Sequence, residues 1–498
     1  MEGIFRGIKL YDDFTRTKRD FMPLEGNRVK MYVCGVTVYD SCHLGHARSY
    51  ITFDVIRRYL EYRGYEVTHI QNFTDIDDKI IRRANEQNRT TSELAEQYIN
   101  EYFQVMDELH IRRATLYPRA TEYIEDMIEI ISSLINNNYA YAGNGDVFFN
   151  IENFPQYGAL SNKGKDALEE QTEETIEGKR RREDFALWKK AKPGEPYWDS
   201  PWGHGRPGWH IECTAMALKQ LGTTVDIHGG GLDLLFPHHE NEIAQSEAFT
   251  GKKFANFWVH NGILQIDQEK MSKSKGNFFL IKNSLENYSA DTLRMFFLNA
   301  HYRAPINFST ETLEGAREAL DRFHAFFNTF DTILRCPQEL QTISEQDMCH
   351  YDPEKVILEK AMAEAEQGFQ KAMDDDFNTP EALATVYGLV RAGNTFAAKM
   401  ASSGRGACCE LIRNSLRQAK NMVITLGNVL GLFDEDPTVR FDGCRKMMED
   451  LIDSFLTVRR LARDKKDWEI ADRIRTELED LGVTIEDRPL GTTWRIKR

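Results

Sequence analysis

The chain has 498 residues, of which 41% are hydrophobic, and its 63 basic and 78 acidic residues give a formal net charge of −15 at pH 7. This length predicts about three domains, and the ordinary composition excludes a mainly disordered or collagen-like polymer. The acidic balance weighs mildly against a nucleic-acid partner, because phosphate contacts require Lys and Arg, although a local basic patch can override the net charge. No apolar run reaches the roughly 18 residues of a membrane span, and the N-terminus has no signal-peptide pattern. We therefore expect a cytoplasmic protein that does not contact membranes.

The first part of the chain predicts a strand, a helix and a second strand. Residues 29–36 read as a short apolar strand, and residues 65–70 as another. Between them, apolar residues recur at three- and four-residue steps, which predicts an amphipathic helix that ends near Gly64. A β-α-β unit of this kind implies a parallel sheet.

A second α/β portion follows after an interruption. Residues 75–140 are rich in helix formers, whereas residues 161–208 are polar and contain four prolines, as expected of an inserted segment. The α/β pattern then resumes with a helix over 211–222, a strand over 223–231 and a helix over 238–250. The two portions together predict one nucleotide-binding fold that an insertion divides.

The C-terminal part differs in character. From about residue 310 to residue 433 the pattern is almost entirely helical, residues 434–443 form a turn-rich linker, and the last 55 residues read as a small mixed module.

His43-Leu44-Gly45-His46, the HLGH motif, lies in the turn between the first strand and the first helix. Helix N-termini attract anions through their unpaired N–H groups, the glycine admits a polyphosphate, and each imidazole can donate a hydrogen bond. Two surface histidines on a helix cap remain the alternative.

Lys270-Met271-Ser272-Lys273-Ser274, the KMSKS motif, is a cationic segment that could neutralise charge developing on phosphate oxygens. An ordinary solvated basic loop is the alternative. The pair of motifs, in this order, resembles the paired signature of class I aminoacyl-tRNA synthetases, with Leu44 in the place of an isoleucine.

A third motif, His238-His239-Glu240-Asn241-Glu242, opens a predicted helix. Residues four apart share a helix face, so His238 and Glu242 could bind one metal ion, and the spacing does not exclude His239. Polar residues at a helix N-terminus are the alternative explanation.

The context of this motif closely resembles the cysteinyl-tRNA synthetase family. The resemblance rests on YVCGVTVYD around Cys34, PGWHIECTAM around Cys213, and FPHHENE, and it extends from about residue 22 to the terminal GTTWR. It implies a Rossmann-type class I catalytic domain with an inserted connective segment, then an all-α bundle, then a small α/β anticodon-binding module. It also implies the domain boundaries, which are 1–125 and 211–257 for the two catalytic halves, 126–210 for the insertion, 258–310 for the KMSKS and stem-contact region, 311–435 for the bundle, and 440–498 for the anticodon module.

The resemblance further implies an ATP-dependent cysteine–tRNA ligase with tRNA(Cys), ATP and L-cysteine as partners. A zinc ion and Mg²⁺ with ATP are the implied cofactors, and a monomer is the implied state. The implied residues are Cys34, Cys213, His238 and Glu242 for zinc; His43, His46, Lys270 and Lys273 for catalysis; Gly45, Gly230, Asp233 and Lys273 for ATP; Thr74 and Trp209 for cysteine; and Arg463, Trp468 and Asp472 for the anticodon. For Trp209 a core position is an equal alternative. For the anticodon residues the alternative is an amphipathic helix with solvated charges.

Two other functions remain open at this point. A related ligase joins activated cysteine to an amino sugar, but it lacks the terminal module, and residues 440–498 therefore favour tRNA. A non-catalytic zinc-dependent RNA-binding relative is disfavoured by the intact HLGH and KMSKS motifs.

Overall fold

The computed structural model describes residues 6–163, 178–266, 269–270, 279–335, 353–402, 410–433, 444–488 and 491–496. The chain divides into two compact units, of which the first is Met1–Leu313 with Ala372–Pro380 and the second is Glu314–Lys371 with Glu381–Arg498. The finer domain boundaries given above remain predictions. Among the helices of the described residues, none combines the length and apolar character needed to cross a bilayer.

The strands are β1 (Lys9–Asp12), β2 (Thr17–Asp20), β3 (Arg28–Thr37), β4 (Glu66–Thr74), β5 (Ala140–Gly143), β6 (Asp146–Phe149), β7 (Phe185–Lys190), β8 (Gly205–Pro207), β9 (Val225–Gly231), β10 (Ala255–Asn261), β11 (Leu264–Ile266), β12 (Glu269–Lys270), β13 (Ile306–Phe308), β14 (Val483–Arg488) and β15 (Gly491–Ile496). The helices are α1 (Leu44–Tyr62), α2 (Asp78–Glu86), α3 (Thr91–Glu108), α4 (Ile124–Asn136), α5 (Trp209–Leu221), α6 (Glu240–Thr250), α7 (Ile281–Leu285), α8 (Ala290–Leu298), α9 (Thr310–Arg335), α10 (Pro353–Asp374), α11 (Thr379–Ser402), α12 (Glu410–Val429), α13 (Cys444–Asp464) and α14 (Trp468–Asp480).

A four-stranded parallel sheet organises the first unit, in the order β10-β9-β3-β4. Helix α1 connects β3 to β4, and α6 connects β9 to β10. The two connections extend the sheet in opposite directions from the central pair β3 and β9. The strand order therefore reverses between β3 and β9, and ligands of open parallel sheets bind beyond the carboxyl ends of the strands at such a point. The expected split α/β fold is confirmed.

The local sequence explains the β3–α1 connection. Strand β3 is buried at most positions, as expected where helices cover both faces of a parallel sheet. Helix α1 begins at a cap formed by His43 and ends at Tyr62, just before Gly64, whose φ of 81° favours glycine. The predicted end of this helix is therefore confirmed.

The inserted segment contains more regular structure than its composition indicates. It forms an antiparallel sheet in the order β5-β6-β7-β8, and β7 and β8 lie within the polar, proline-containing stretch in which no strand was expected. Part of the strand signal is visible afterwards, because β7 contains Leu187 and the fully buried Trp188.

Helix α1 is joined to α8 by a buried ionic cluster. Asp54 on α1 accepts hydrogen bonds from Arg58 Nε at 2.8 Å and from Arg294 Nη2 at 2.6 Å. Burial alone would raise the pKa of the Asp54 carboxyl, but Arg294 and Arg58 outweigh burial and lower it. Arg294, on α8, also donates to the carbonyl of Leu109, so it links these segments structurally.

The second unit contains the helical segments of the C-terminal part and its small module. In that module, α13 and α14 accompany an antiparallel hairpin of β14 and β15, with Ile452, Leu478, Val483 and Ile485 forming its core. The mixed character expected for the last residues is confirmed, while the linker 434–443 lies outside the described residues.

Residues 374–377 join the first unit through charged contacts that the sequence did not indicate. Asp376 accepts hydrogen bonds from the hydroxyl of Tyr302 at 2.7 Å and from Arg303 Nε at 2.8 Å. Asp376 and Phe377 have φ values of 66° and 51°, a left-handed conformation that is uncommon for residues other than glycine. The sharp backbone turn between α10 and α11 is therefore held in place by side-chain contacts.

We expect His69 to make the first unit sensitive to acid. The imidazole lies on β4, is 5% exposed, and has no hydrogen-bond partner at either ring nitrogen among the described residues. Burial, with a smaller contribution from Arg57, lowers its pKa to about 3. Because the unfolded chain binds a proton at this site below about pH 6.5, the free energy of unfolding falls as the pH drops from there towards 3, by up to about 1.4 kcal/mol per pH unit.

Replacing the His69 imidazole by a neutral side chain of similar size removes its contribution to the pH dependence of the free energy of unfolding. In urea titrations at pH 7.5 and pH 5, His69→Leu should lose less stability on acidification than the unsubstituted protein. Gln71→Leu, at a buried polar side chain on the same strand that does not titrate, is the control and should not change the pH dependence. An unchanged pH dependence in His69→Leu would contradict the prediction.

Candidate active site

A buried group of metal-binding side chains lies where the sheet order reverses. Cys34 on β3, Cys213 on α5, and His238 and Glu242 at the start of α6 offer ligand atoms that all lie within 4.8 Å of one another. We name these four residues the donor cluster. His238 Nε2 lies 3.0 Å from Glu242 Oε1, and the two sulfur atoms lie 3.8 Å apart. The sequence spacing thus brings His238 and Glu242 together, and the fold adds both thiols.

The chemistry of the donor cluster fits a metal ion. Two thiols, an imidazole and a carboxylate are ligands that zinc takes in proteins. Two Zn–S bonds of about 2.3 Å at a tetrahedral angle separate their sulfur atoms by about 3.8 Å, which matches the observed separation of Cys34 and Cys213. All four residues are buried, so the candidate site lies in the interior of the first unit.

A second set of donors overlaps with the first. His228 on β9 and His239 offer nitrogen atoms close to Cys34 and Glu242, with His228 Nε2 at 2.8 Å from Glu242 Oε2 and His239 Nε2 at 3.3 Å from the Cys34 sulfur. The other nitrogen of His239 lies 2.7 Å from His260 Nε2. Sequence reasoning missed His228, because its position depends on the pairing of β9 with β3, two strands far apart in the chain.

The imidazoles set the charge of the carboxylate. Burial alone would raise the pKa of Glu242, but His228 and His238 outweigh it and lower that pKa to about 2. Burial would likewise lower the pKa of His238, but Glu242 and Cys213 oppose it and raise that pKa to about 10. The pKa of His239 is lowered, first by burial and then by His228 and His260. The cluster therefore holds an ionised carboxylate in the interior.

Trp209 and Thr74 both lie near the donor cluster. The Trp209 ring stacks on His238 with centroids 4.4 Å apart, and the residue is 38% exposed, so the core alternative for Trp209 is wrong. Thr74 ends β4 and is buried, and its hydroxyl donates to Glu212 Oε2 at 2.7 Å. Glu212 was not singled out from the sequence, although it directly precedes Cys213.

The HLGH motif forms the start of α1. His43 is the cap residue and accepts a hydrogen bond from the backbone N–H of His46, whose side chain in turn accepts from the backbone N–H of His43. The two rings stack with centroids 3.7 Å apart. Gly45 lies in the first turn between them. This arrangement orients both imidazoles at the positive end of a helix.

The structure describes the two ends of the segment that carries KMSKS. The backbone of Lys270 lies in β12, paired with Gln265 of β11, whereas Lys273 lies outside the described residues. At the other end, the backbone N–H of Leu44 donates to the carbonyl of Phe279 at 3.0 Å. The backbone beyond the KMSKS motif is therefore bonded directly to the HLGH turn.

Gly230 is the next-to-last residue of β9, and Asp233 follows the carboxyl end of that strand. A Cβ atom at Gly230 would lie 2.9 Å from the Leu234 side chain and 3.3 Å from the His239 ring, so this position is crowded. Asp233 is exposed in the short turn Leu232–Leu234. Both residues lie at the strand edge where ligands of such sheets bind.

The three anticodon candidates lie in the second unit. Trp468 begins α14 and is 56% exposed, and Asp472 is exposed one turn later. Arg463 ends α13, with its guanidinium 2.8 Å from Asp487, which Arg459 also binds. An exposed aromatic ring beside cationic groups is a suitable surface for unpaired bases.

Comparisons with known proteins agree with this geometry. Residues 20–318 match the family model of the class I (C) tRNA synthetase catalytic domain, residues 368–434 match the DALR domain, and residues 448–495 match the cysteinyl-tRNA ligase anticodon binding domain. Methionyl-tRNA synthetase of Mycobacterium tuberculosis, in complex with methionyl-adenylate, shares the fold with a TM-score of 0.59 at 15% identity, over 81% of this chain and 90% of that chain. The chain therefore has the fold of the class I aminoacyl-tRNA synthetases, which are ATP-dependent ligases.

Two relatives narrow the assignment. The cysteine–tRNA ligase of Thermodesulfovibrio yellowstonii is 47% identical over 501 residues, covering 98% of this chain and all of that protein. That of Geobacter metallireducens is 46% identical over 498 residues with the same coverage. The chain belongs to the cysteine–tRNA ligase family.

The overlapping donor sets predict different metal losses. If the donor cluster holds the ion, His238→Gln and Cys213→Ser should each lower the metal content of the purified protein from about one equivalent to well below half. His228→Gln should retain more metal than either of these variants. Elemental analysis by mass spectrometry provides the measurement.

Cys42→Ser is the matched control, because this buried thiol lies outside both sets, and its metal content should stay near one equivalent. Full metal in His238→Gln together with metal loss in His228→Gln would assign the ion to the second set instead.

Proposed function

We propose that the protein attaches L-cysteine to the 3′ end of tRNA(Cys) in two steps, with zinc in the donor cluster selecting cysteine. The observation that carries this proposal is a buried set of two cysteines, a histidine and a glutamate at the switch point of a class I fold. The membership of the chain in the cysteine–tRNA ligase family supports the same substrate.

The first step activates the amino acid. A carboxylate oxygen of cysteine attacks the α-phosphorus of ATP, the bond to the bridging oxygen breaks, and pyrophosphate leaves. In the second step, a ribose hydroxyl of the terminal adenosine attacks the acyl carbon, and AMP leaves. Neither step needs a protein nucleophile, because positioning and charge neutralisation are sufficient.

The motif residues take the phosphate roles. His43 and His46 would bind the triphosphate at the positive end of α1, with Gly45 allowing its close approach. Lys270 and Lys273 would neutralise the charge that develops on the departing pyrophosphate, and Mg²⁺ would accompany ATP. Gly230 is the next-to-last residue of β9 and so lies at the carboxyl end of the sheet, which supports a role for its backbone in contacting the nucleotide. Asp233 would accept hydrogen bonds from ribose hydroxyls.

Selection of cysteine requires more than shape. A cavity that admits sulfur also admits the oxygen of serine, and apolar contacts discriminate only about 10- to 200-fold. Held by Cys34, Cys213, His238 and Glu242, a zinc ion would supply a coordination position that favours a thiolate over a hydroxyl. This selection at the binding step would make a separate editing site unnecessary.

Trp209 and Thr74 would hold the rest of the amino acid. Trp209 is stacked against a donor-cluster residue while it remains partly exposed, so its surface is available to a ligand. Thr74 donates its only hydroxyl proton to Glu212 and accepts from Asn72 Nδ2 at 3.5 Å, which leaves one oxygen lone pair for a donor such as the substrate ammonium group.

The C-terminal module would recognise the anticodon through Arg463, Trp468 and Asp472. The exposure of Trp468 supports stacking on an unpaired base, and the match of residues 448–495 to an anticodon-binding domain supports the same role. We further propose that the protein acts as a monomer, the state that the family resemblance implies. We place the activity in the cytoplasm, where tRNA, ATP and cysteine meet.

We expect the thiol ligands to affect cysteine much more than ATP. In cysteine-dependent ATP–pyrophosphate exchange, Cys213→Ser should raise the KM for cysteine by about 100-fold or more, because the pocket would keep only its apolar discrimination. The KM for ATP should change less than about threefold. Zinc chelation of the unsubstituted protein should reproduce this effect, and added zinc should reverse it.

Serine provides the internal comparison for this experiment. The ratio of cysteine to serine activation should fall in Cys213→Ser, since the variant loses the coordination-based preference. Equal losses for cysteine and ATP would show that the cluster supports only the fold.

We expect Trp468 to act on tRNA alone. Trp468→Ala should raise the KM for tRNA(Cys) in aminoacylation by about 5- to 100-fold, the equivalent of about 1–3 kcal/mol for a lost base stack. Pyrophosphate exchange needs no tRNA and should be unaffected. Ile470→Ala, at a side chain that is 47% exposed on the same helix, is the control. An unchanged KM for tRNA in Trp468→Ala would contradict the anticodon assignment.

A further inference from the structure

Arg48 carries a buried guanidinium that the proposed mechanism does not use. It lies on α1, two residues after His46, and is 3% exposed. Its Nη1 donates to the carbonyl of Ile263 at 3.0 Å, and its Nη2 donates to the carbonyls of Tyr302 and Ala304. Burial lowers its pKa to about 10, so the side chain remains charged at neutral pH.

These three carbonyls belong to two segments that support the KMSKS motif. Ile263 directly precedes β11, which pairs with β12 and so leads to Lys270. Residues 302–304 precede β13, which pairs with β11 in parallel. Arg48 therefore binds both segments at the base of this three-stranded sheet.

The two segments approach each other very closely at this point. The backbone N–H of Gly262 donates to the carbonyl of Tyr302 at 2.8 Å. A Cβ atom at Gly262 would lie only 2.5 Å from the carbonyl oxygen of Ala304 and 2.6 Å from that of Arg303, so a larger residue would push the segments apart. The close approach gathers carbonyl oxygens around one position, and the guanidinium of Arg48 donates to those of Tyr302 and Ala304 there.

The far end of the KMSKS segment is also bonded to α1 and its cap. The backbone N–H of Ile281 donates to the carbonyl of Cys42 at 3.0 Å, and Leu280 forms an antiparallel bridge with His43. Backbone hydrogen bonds thus hold the downstream end, and the Arg48 side chain holds the upstream end. Both ends of the KMSKS segment are therefore bonded to α1 or its cap, which carry the HLGH motif.

We infer that Arg48 is a positioning residue that fixes the KMSKS-bearing strands relative to the HLGH motif, and so sets the rate of amino-acid activation. This inference rests on the proposed function, in which both motifs act on the ATP phosphates. Rigid placement of reacting groups is worth a large rate factor, and a misplacement of about 1 Å can cost about 100-fold. The guanidinium suits this role, because its planar fork reaches several acceptors at once, whereas the ammonium of lysine is a single point on a flexible stem.

We expect the loss of Arg48 to lower the rate of amino-acid activation and to leave the affinity for cysteine unchanged. Cys34, Cys213 and His238 lie on β3, α5 and the start of α6, and the three hydrogen bonds of Arg48 described above go to none of these elements. Loss of Arg48 should therefore leave the donor cluster and the cysteine pocket in place.

The test is Arg48→Lys in the full-length, zinc-loaded protein, assayed by cysteine-dependent ATP–pyrophosphate exchange. The number of active sites is counted separately from the stoichiometric burst of cysteinyl-adenylate. We expect the rate per active site to fall about 10- to 100-fold, with the KM for cysteine changed less than about threefold. Arg48→Gln serves as a second variant that can still donate to a carbonyl, and its rate should fall to a similar or greater extent.

Arg57→Lys is the matched control. This arginine lies on the same helix and also donates to a backbone carbonyl, that of Arg113, and to Glu61, both far from the KMSKS strands in the chain. Its rate per active site should equal that of the unsubstituted protein.

A merely structural role for Arg48 would reduce the count of active sites or the melting temperature while the remaining sites kept the full rate, and that result would overturn the inference. Absence of cysteine-dependent exchange in the unsubstituted protein would instead overturn the proposed function, so the two failures are distinguishable.

Discussion

The ionised carboxylate of Glu242 is fully buried, and the arrangement around the site depends on compensating its charge. Removing a carboxylate from water costs several kcal/mol unless partners replace the lost hydration. Here His228 contributes from β9 and His238 from one helical turn away. Both contacts lie within residues 228–242, and they require α6 to begin close to the carboxyl end of β9. The pairing of β9 with β3 then brings Cys34 to the same carboxylate, with its sulfur 3.6 Å from Glu242 Oε1.

Helix α1 positions the part of the site that carries the HLGH motif. Its N-terminus carries the HLGH motif, while its buried face carries charged side chains that hold other segments: Arg48 binds the KMSKS-bearing sheet, and Asp54 binds Arg58 and Arg294. Buried charges tolerate little displacement, because each lost partner leaves an uncompensated group in the interior. A helix fixed in this way is a rigid support for the HLGH motif and for the two segments that flank the KMSKS motif.

Much of the catalytic fold follows from the sequence, for identifiable reasons. The period of apolar residues in α1, with Gly64 after it, predicts both the helix and its end, and the four-residue spacing of His238 and Glu242 predicts their proximity. His228 and Arg48 could not be found in this way, because their roles depend on which distant strands and loops become neighbours. The strands of the insertion were also missed, since polar and proline-rich flanks mask the short apolar run around Trp188.

The charge balance of the chain does not preclude RNA binding, but it changes how the anticodon module can act. Arg459 and Arg463 both bind Asp487, so one carboxylate offsets about half of the combined charge of these two arginines. These contacts lower the pKa of Asp487, with the hydrogen bond from Arg459 as the largest cause, which keeps the carboxylate ionised at neutral pH. A phosphate that approaches Arg463 must therefore compete with an existing partner. Stacking on Trp468 faces no such competition from a charge, and because it depends on the face of a base, it is far less sensitive to salt than a phosphate contact. In an acidic protein, an exposed aromatic ring can therefore hold an unpaired base without additional positive charge.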